Sequence, residues 1–247
     1  MASGVARDET IAFLRRYWLL GVCLLAFLAL PRQATTTGEE TSVRPGINAK
    51  YLGPGLDVDH WVAIFEGESR EIFRSRGPIV DALGLEPEVR VADIGSGTGL
   101  FLGPFAQAVG PGGRVYAVDI SPGFVDHLRK RAAQEGLTQV EVVKSSARST
   151  ELAEATVDLA FLCDVYHHFE SPKSMLVSLH RALRPGGQLV LIDFERIPGK
   201  SRDWILEHVR ADKAAFRAEI VAAGFVLEEE LKIEGLSENY VLRFRRP

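Results

Sequence analysis

Two adjacent histidines, His167 and His168, stand in the stretch VYHHFE. An imidazole, with its ordinary pKa of about 6.5, can accept the proton of an incoming nucleophile near neutral pH. A metal centre is the less favoured interpretation, because adjacent histidines on a regular element point in different directions and no carboxylate–histidine set has ligand spacing. We therefore predict no metal, and a role for the pair as catalytic base or pocket wall.

A glycine-rich loop, DIGSGTG over residues 93–99, follows a short apolar strand pattern. Glycines at alternate positions let the backbone turn tightly and approach a ligand closely. The next strand pattern ends in Asp119, 20 residues after Gly99. A carboxylate at that point can accept hydrogen bonds from both hydroxyls of a ribose. Loop and carboxylate together predict a nucleoside ligand.

The elements that position these residues alternate between strand and helix patterns from residue 87 onward. Apolar runs such as VRVADIG, VDLAFLC and QLVLIDF show no polar alternation, which is typical of strands buried on both faces. The pattern predicts an α/β fold with a doubly wound, mostly parallel sheet, whose ligands bind at the carboxyl ends of the strands. Residues 59–76 and 202–223 each read as one helix.

Four stretches, VADIGSGTG, VYAVDIS, VDLAFLCDVYHHF and LRPGGQLVLIDF, resemble the class I S-adenosylmethionine-dependent methyltransferases. The resemblance is close over residues 87–195 and looser over 196–247. It implies a seven-stranded Rossmann-like sheet, S-adenosylmethionine as cofactor, and an acid more often than a serine at the position of Ser146. It also implies a set of cofactor-binding residues: Asp93, Gly95, Ser96, Gly97, Asp119, Ile120, Ser146, Ala147, Asp164 and Val165.

Methyl transfer from a sulfonium is an in-line displacement, and a base is needed only when the acceptor carries a proton. The catalytic candidates are His167, His168, Tyr166 and Asp193, all at carboxyl ends of predicted strands. The acceptor is a small molecule, either a thiol or sulfide or a lipophilic quinone-type ring. A non-catalytic, membrane-tethered cofactor-binding module is the competing interpretation. His208, inside a predicted helix, is expected at the surface.

The N-terminus carries 14 uncharged, mostly apolar residues, Tyr17 to Leu30, behind Arg15 and Arg16. This run is short for a membrane-spanning helix and is typical of a signal peptide or membrane anchor. We predict such a segment over 1–34, a linker over 35–50, a cap helix region over 51–76 and the methyltransferase domain over 77–247. Residues 15–32 would make the protein membrane-associated or exported. Because S-adenosylmethionine is expected inside the cell, the cytoplasmic face of the membrane is also possible.

The composition of this 247-residue chain indicates which kinds of partner and cross-link to expect. A net charge of −4 gives no reason to expect a nucleic acid. The two cysteines are too few for a disulfide framework. The chain is long enough for one globular domain with a sizeable core, and its oligomeric state stays open.

Overall fold

The structure, a computed structural model, describes residues 40–247. Its centre is a seven-stranded sheet in the order β3-β2-β1-β4-β5-β7-β6. Strand β7 runs antiparallel to both its neighbours, and the other pairs are parallel. The predicted doubly wound, mostly parallel sheet is therefore confirmed. The strands are β1 (Arg90–Ile94), β2 (Arg114–Asp119), β3 (Val140–Lys144), β4 (Val157–Cys163), β5 (Leu183–Phe194), β6 (Val226–Leu231) and β7 (Asn239–Arg245).

Helices cover both faces of the sheet, and each face has its own core. On one face Val91 of β1 packs with Phe105 and Leu128, and on the other Ala92 packs with Leu176 and Phe216. Neighbouring strand residues point to opposite faces, so the unbroken apolar runs fill both cores. The helices are α1 (Ala49–Leu52), α2 (Val58–Phe65), α3 (Glu71–Arg74), α4 (Arg76–Leu83), α5 (Leu102–Val109), α6 (Pro122–Gln134), α7 (Pro172–Ala182), α8 (Asp203–His208) and α9 (Lys213–Ala222).

The single helix predicted over 59–76 is interrupted between α2 and α3. The interruption lets Arg70 pair with Asp164 at the end of β4. It also lets the Glu71 carboxylate accept hydrogen bonds from three consecutive backbone N–H groups, residues 237–239, at the start of β7. Tertiary contacts of two side chains outweigh the local helical pattern here.

The helix predicted over 202–223 is likewise two helices, α8 and α9. Asp212 lies between them, and its carboxylate accepts a hydrogen bond from Ala215 N at 2.9 Å. An aspartate in this position caps a new helix N-terminus, because it satisfies a backbone donor that has no partner within the helix. The chain therefore restarts at Lys213, and His208 becomes the last residue of α8.

Residues 40–50, predicted as the end of a linker, are hydrogen-bonded to the domain. The Glu40 carboxylate accepts from the backbone N–H groups of Lys173 and Ser174 at 2.9 and 2.7 Å, which caps the N-terminus of α7. Val43 N donates to Glu170 O at 2.9 Å. Residues 40–50 are thus packed against the domain through long-range partners, which no local sequence pattern predicts.

The predicted signal peptide or anchor over 1–34 lies outside the described residues. Across residues 40–247, no helix is both long and apolar enough to cross a membrane.

Candidate functional site

Two adjoining cavities open at the carboxyl ends of β1, β2 and β4. The inner cavity, next to β2 and β3, has about 780 Å³ of space, and the outer cavity, next to β5 and α8, about 2170 Å³, both including some open solvent. They meet along six shared residues: Tyr51, Phe65, Gly95, Gly97, Asp164 and His168. A molecule in the inner cavity can therefore reach one in the outer cavity across the glycine loop.

Gly95 needs to be a glycine at this junction. Its φ is +72°, a left-handed conformation that side chains rarely adopt, and a Cβ there would lie 2.2 Å from Val165 Cγ2. The loop backbone and the wall after β4 are thus as close as they can come.

Asp119 ends β2 and is buried at the inner cavity. Its Oδ2 accepts a hydrogen bond from Gly97 N, and its Oδ1 accepts one from Ser121 N, both at 2.8 Å. Burial raises the pKa of this carboxyl to about 6, although these backbone donors oppose the shift. Each oxygen keeps a further lone pair, so a diol can still be bound.

Asp93 is the next-to-last residue of β1 and lines the outer cavity. Its side chain is buried and its Oδ2 has no hydrogen-bond partner. Burial raises the pKa of Asp93 to about 7, and the charge of Asp119 adds to the shift. A buried carboxylate oxygen without a donor is costly, and an ammonium group in the cavity would satisfy it.

Asp164 follows β4 and forms the wall between the cavities. It has a left-handed backbone with φ of +52°, pairs with Arg70, and accepts from Asn239 Nδ2 at 2.6 Å. Burial raises the pKa of this carboxyl to about 6, and the Arg70 charge opposes the shift. A non-glycine residue held in this conformation by two partners is typical of a functional wall.

The remaining predicted cofactor residues also reach the cavities. Val165 and Ile120 line the inner cavity, and Ser96 lines the outer one. Ser146 and Ala147, after β3, line the inner cavity too. All ten predicted cofactor residues therefore border one cavity or both, and their individual roles stay predictions.

An aromatic wall from the predicted cap helix region, 51–76, closes the junction, although none of its aromatic residues was predicted as a site residue. The Tyr51 ring lies 4.8 Å from Trp61, and Trp61 lies 5.3 Å from Phe65, measured between ring centroids. Ser121 Oγ donates to Tyr51 O at 2.6 Å, which fixes this wall to α6. The sequence shows several aromatic residues within 51–65, but their spacing does not indicate which of them face the cleft.

Three histidines, here called the histidine cluster, lie together in the outer cavity: His167, His168 and His208. The 3₁₀ turn over residues 166–168 places the rings of the adjacent pair 4.4 Å apart. The premise that adjacent histidines point in different directions therefore does not hold here. His208, expected at the surface, comes within 3.2 Å of His168, measured between their Nε2 atoms.

Hydrogen bonds fix the tautomers of two members of the cluster. His167 Nδ1 lies 2.8 Å from Asp193 Oδ1, so the carboxylate holds the proton on Nδ1 and leaves the Nε2 lone pair free. His168 Nδ1 lies 3.2 Å from Asn48 Oδ1. Because Asn48 Nδ2 donates to His168 O at 3.0 Å, its Oδ1 is the acceptor, and His168 also carries its proton on Nδ1.

Burial and the neighbouring imidazoles keep His168 and His208 neutral. They lower the pKa of His168 to about 2 and that of His208 to about 4. A group with such a low pKa is a weak base. His168 is therefore a weak base in the wall of the cavity, and its Nε2 accepts a hydrogen bond from His208 Nε2 at 3.2 Å.

Two predicted catalytic residues do not face the acceptor. Tyr166 is fully buried in the core, where it packs against Phe216 and donates to Glu219 Oε2 at 2.8 Å. The turn that brings both histidines to the cavity points Tyr166 the other way. Asp193 is fully buried as well and acts through His167, so it does not orient an acceptor directly.

Comparison with known sequences supports these expectations. Residues 92–191 match the family model described as a methyltransferase domain. An uncharacterized 37.1 kDa protein in a Streptomyces fradiae transposon is 37% identical over 46% of this chain and 32% of its own length. The ubiquinone/menaquinone biosynthesis C-methyltransferase UbiE of Hydrogenovibrio crunogenus is 29% identical over 48% of this chain and 47% of its own. The matches thus span half or less of these relatives.

Solved structures share the fold. A S-adenosylmethionine-dependent methyltransferase from Aquifex aeolicus superposes with a TM-score of 0.69 at 23% identity, over 77% of this chain and 99% of its own. The cyclase SpnF superposes with a TM-score of 0.60 at 16% identity, over 70% and 82%. At these identities the likeness concerns the fold alone, and SpnF is described as a cyclase.

The residues present fit S-adenosylmethionine. The unpartnered Oδ2 of Asp93 suits an α-ammonium group, the Asp119 carboxylate suits ribose hydroxyls, and the missing side chain of Gly95 leaves room between them. Sheet order, glycine loop and sequence match agree. Over residues 92–191 the chain carries a methyltransferase domain of the class I, S-adenosylmethionine-dependent type.

Proposed function

We propose that this protein methylates a small, largely apolar thiol or sulfide, with S-adenosylmethionine as methyl donor. The observation that carries the proposal is the junction of the two cavities. The loop residues Gly95 and Gly97, expected to hold the donor, border the same space as the histidine cluster. Donor and acceptor would meet there, in a cleft walled on one side by Asp164.

The cofactor supplies an electrophilic methyl group on a sulfonium. The acceptor sulfur forms a bond to that methyl while the methyl–sulfonium bond breaks, and the leaving thioether is neutral. The chain's residues have little charge to stabilise and gain rate by holding the acceptor in line and close. Asp164, fixed by Arg70 and Asn239, and Val165, packed on Gly95, are the rigid parts of that alignment.

The outer cavity suits an apolar acceptor. Trp61 and Phe65 line one side, while Phe194 and Trp204 line another, with ring centroids of the latter pair 5.0 Å apart. Aromatic walls contribute mostly by removing apolar surface from water and by packing rings at their edges. A thiol bound between them would have its sulfur at the histidine cluster, which is the polar end of this space.

Methylation of a lipophilic quinone-type ring is the second candidate. Two observations favour it: the likeness to UbiE, a ubiquinone/menaquinone biosynthesis C-methyltransferase, and the same aromatic walls. The UbiE likeness covers about half of each chain. A ring acceptor would be methylated at carbon, and the hydrogen on that carbon would leave as a proton.

A radiolabelled methyl-transfer assay tests the proposal. The purified full chain in detergent would be incubated with labelled S-adenosylmethionine and either a panel of aliphatic and aromatic thiols or a panel of quinols. We expect product with thiols. Product with quinols alone would favour the second candidate. Absence of turnover with both panels, despite calorimetric cofactor binding, would favour a membrane-tethered cofactor-binding module that does no chemistry.

We also propose that residues 15–32 associate the protein with a membrane, which would bring the cleft near apolar acceptors. The apolar run behind Arg15 and Arg16 supports this. Fractionation of cells should place the full chain with the membrane, and recovery in the soluble fraction would contradict it. Digestion by protease in intact spheroplasts would identify the exported side, and protection until lysis would identify the cytoplasmic face.

A further inference from the structure

We propose that the histidine cluster is a Zn²⁺ site, with His167, His168 and His208 as ligands and a fourth position open to the outer cavity. Three neutral imidazoles with one open position are a typical donor set for catalytic zinc. One ring nitrogen of each residue lies within 4.8 Å of the others. The members come from two separate elements, the turn after β4 and the end of α8.

The spacing of the nitrogens fits a tetrahedral ion. Zn–N bonds of about 2.0–2.1 Å place two ligand nitrogens of a tetrahedron about 3.3–3.4 Å apart. The Nε2 atoms of His168 and His208 are 3.2 Å apart. The rings of His167 and His208 are 5.1 Å apart between centroids, and the three ligand nitrogens lie within 4.8 Å of one another, so a ring rotation must bring the third nitrogen closer to share the ion.

The hydrogen bonds behind the cluster are those a metal site requires. A metal-binding histidine usually gives its other N–H to a carboxylate or an amide oxygen, which fixes the tautomer and aims the ring. Asp193 holds His167 in this way, and Asn48 holds His168. Both rings therefore present an Nε2 lone pair on the side where His208 lies, without any rearrangement of their supports.

The open position gives this site a substrate class, and this part rests on the proposed function. The cluster borders the same cavity as Asp93 and Gly95, so a fourth ligand would sit between the metal and the cofactor loop. Zinc binds thiolate sulfur strongly. A thiol that binds there releases its proton to solvent, and the bound thiolate sulfur is the atom that attacks the methyl group.

Metal binding by itself is the first test. The full chain, stripped with a chelator and titrated with Zn²⁺ by calorimetry, should bind about one ion per chain with a Kd below about 1 µM. The His208→Ala variant should lose at least tenfold in Zn²⁺ affinity, while His60→Ala, on exposed helix α2, should match the unaltered chain. Equal affinity for Zn²⁺ in both variants, or binding weaker than about 100 µM, would overturn the site.

Folding and cofactor binding are controlled separately. Each variant would be checked by circular dichroism and by calorimetry with S-adenosylmethionine, because His208 touches none of the residues expected to bind the cofactor. If His208→Ala does not fold, a milder His208→Gln change keeps the site testable, since the amide fills similar space but binds zinc poorly. Loss of Zn²⁺ in His208→Gln with normal cofactor affinity supports the site, and retained Zn²⁺ overturns it.

Cobalt substitution tests the substrate class without relying on turnover. Tetrahedral Co²⁺ absorbs in the visible range, and a thiolate ligand adds a charge-transfer band at shorter wavelength. Phenylmethanethiol should produce that band in the Co²⁺ form of the full chain, and phenylmethanol, its oxygen counterpart, should not. Absence of the band at saturating thiol would overturn the thiolate proposal.

Methyl-transfer assays distinguish the role of zinc from the proposed thiol methylation. Methylation of thiols by the metal-free chain at the full rate would refute the role of zinc and leave the proposed function standing. Zinc-dependent thiol methylation, restored by added Zn²⁺, supports both.

Discussion

The two halves of the cleft are built in different ways. The inner half uses short stretches at strand ends, such as the glycine loop at 95–97 and residues 119–121, whose backbone N–H groups donate to the Asp119 carboxylate. The histidine side joins residues far apart in the chain: Asn48, the pair at 167–168, Asp193 and His208. Local geometry thus positions the donor, while tertiary packing alone positions the group that meets the acceptor.

This contrast predicts that damage to the two halves separates cofactor affinity from turnover. His168→Ala has the largest expected effect. It removes one of the three imidazoles of the cluster, and we expect methyl transfer to fall at least about 10²-fold, because the acceptor is no longer held in line with the methyl group. Cofactor affinity should change less than about threefold.

Steady-state rates and calorimetry on His168→Ala and on the exposed control His60→Ala check this prediction. A wild-type rate in His168→Ala would show that His168 has no role in methyl transfer. A loss of cofactor affinity as large as the loss of rate would show that the two halves do not act separately.

Gly95→Ala comes next, because it acts on the point where the halves meet. A Cβ would lie 2.2 Å from Val165 Cγ2 on a backbone with φ of +72°. We expect the free energy of unfolding to fall by about 2–3 kcal/mol and the cofactor to bind more weakly. Chemical denaturation and calorimetry measure these effects.

Gly84→Ala is the matched control, since Gly84 has φ of +63° but no atom within 4 Å of the added Cβ. It should cost only about 1 kcal/mol of stability, from backbone strain. If both variants lost the same stability, the close approach of the loop to Val165 would be contradicted.

Asp119→Ala tests the inner half alone. Loss of hydrogen bonds to a charged group should weaken S-adenosylmethionine binding by about 1–3 kcal/mol. Asp126→Ala, on an exposed aspartate of α6, should bind the cofactor normally. Unchanged affinity in Asp119→Ala, measured by calorimetry, would count against the assignment of this carboxylate to the ribose.

Asp93→Asn has the smallest expected effect and the opposite sign in stability. Burial raises the pKa of Asp93 to about 7, so folding favours the protonated acid and loses stability as pH rises from about 4 to 7. Asparagine does not ionise, so the variant does not lose this stability as the pH rises. Without cofactor it should therefore be more stable than the unaltered chain at pH 8, and should match it near pH 4.

The same Asp93→Asn variant should bind the cofactor more weakly, since it no longer offers a full negative charge to the ammonium group. Thermal denaturation across pH 4 to 8, with calorimetry at pH 8, measures both quantities. A variant less stable than the unaltered chain at pH 8 would show that Asp93 contributes to folding and is not held at a cost for binding.

Much of the fold and the inner half follows from sequence patterns. The unbroken apolar runs predicted the sheet, and the spacing from Gly99 to Asp119 predicted the ribose carboxylate, because both depend on residues close in the chain. The helices over 59–76 and 202–223 were each predicted as one and are each broken, since the contacts of Arg70, Glu71 and Asp212 lie outside any helical pattern.

The sequence by itself determined the sheet, the glycine loop and the acid that follows it, since strand burial and tight turns depend on neighbouring residues. Only the tertiary structure decided the histidine side. Whether Tyr166 or His167 faces the cleft depends on one turn, and His208 joins them across 40 residues from His168. Such positions are set by packing of whole elements, which adjacent residue types do not encode.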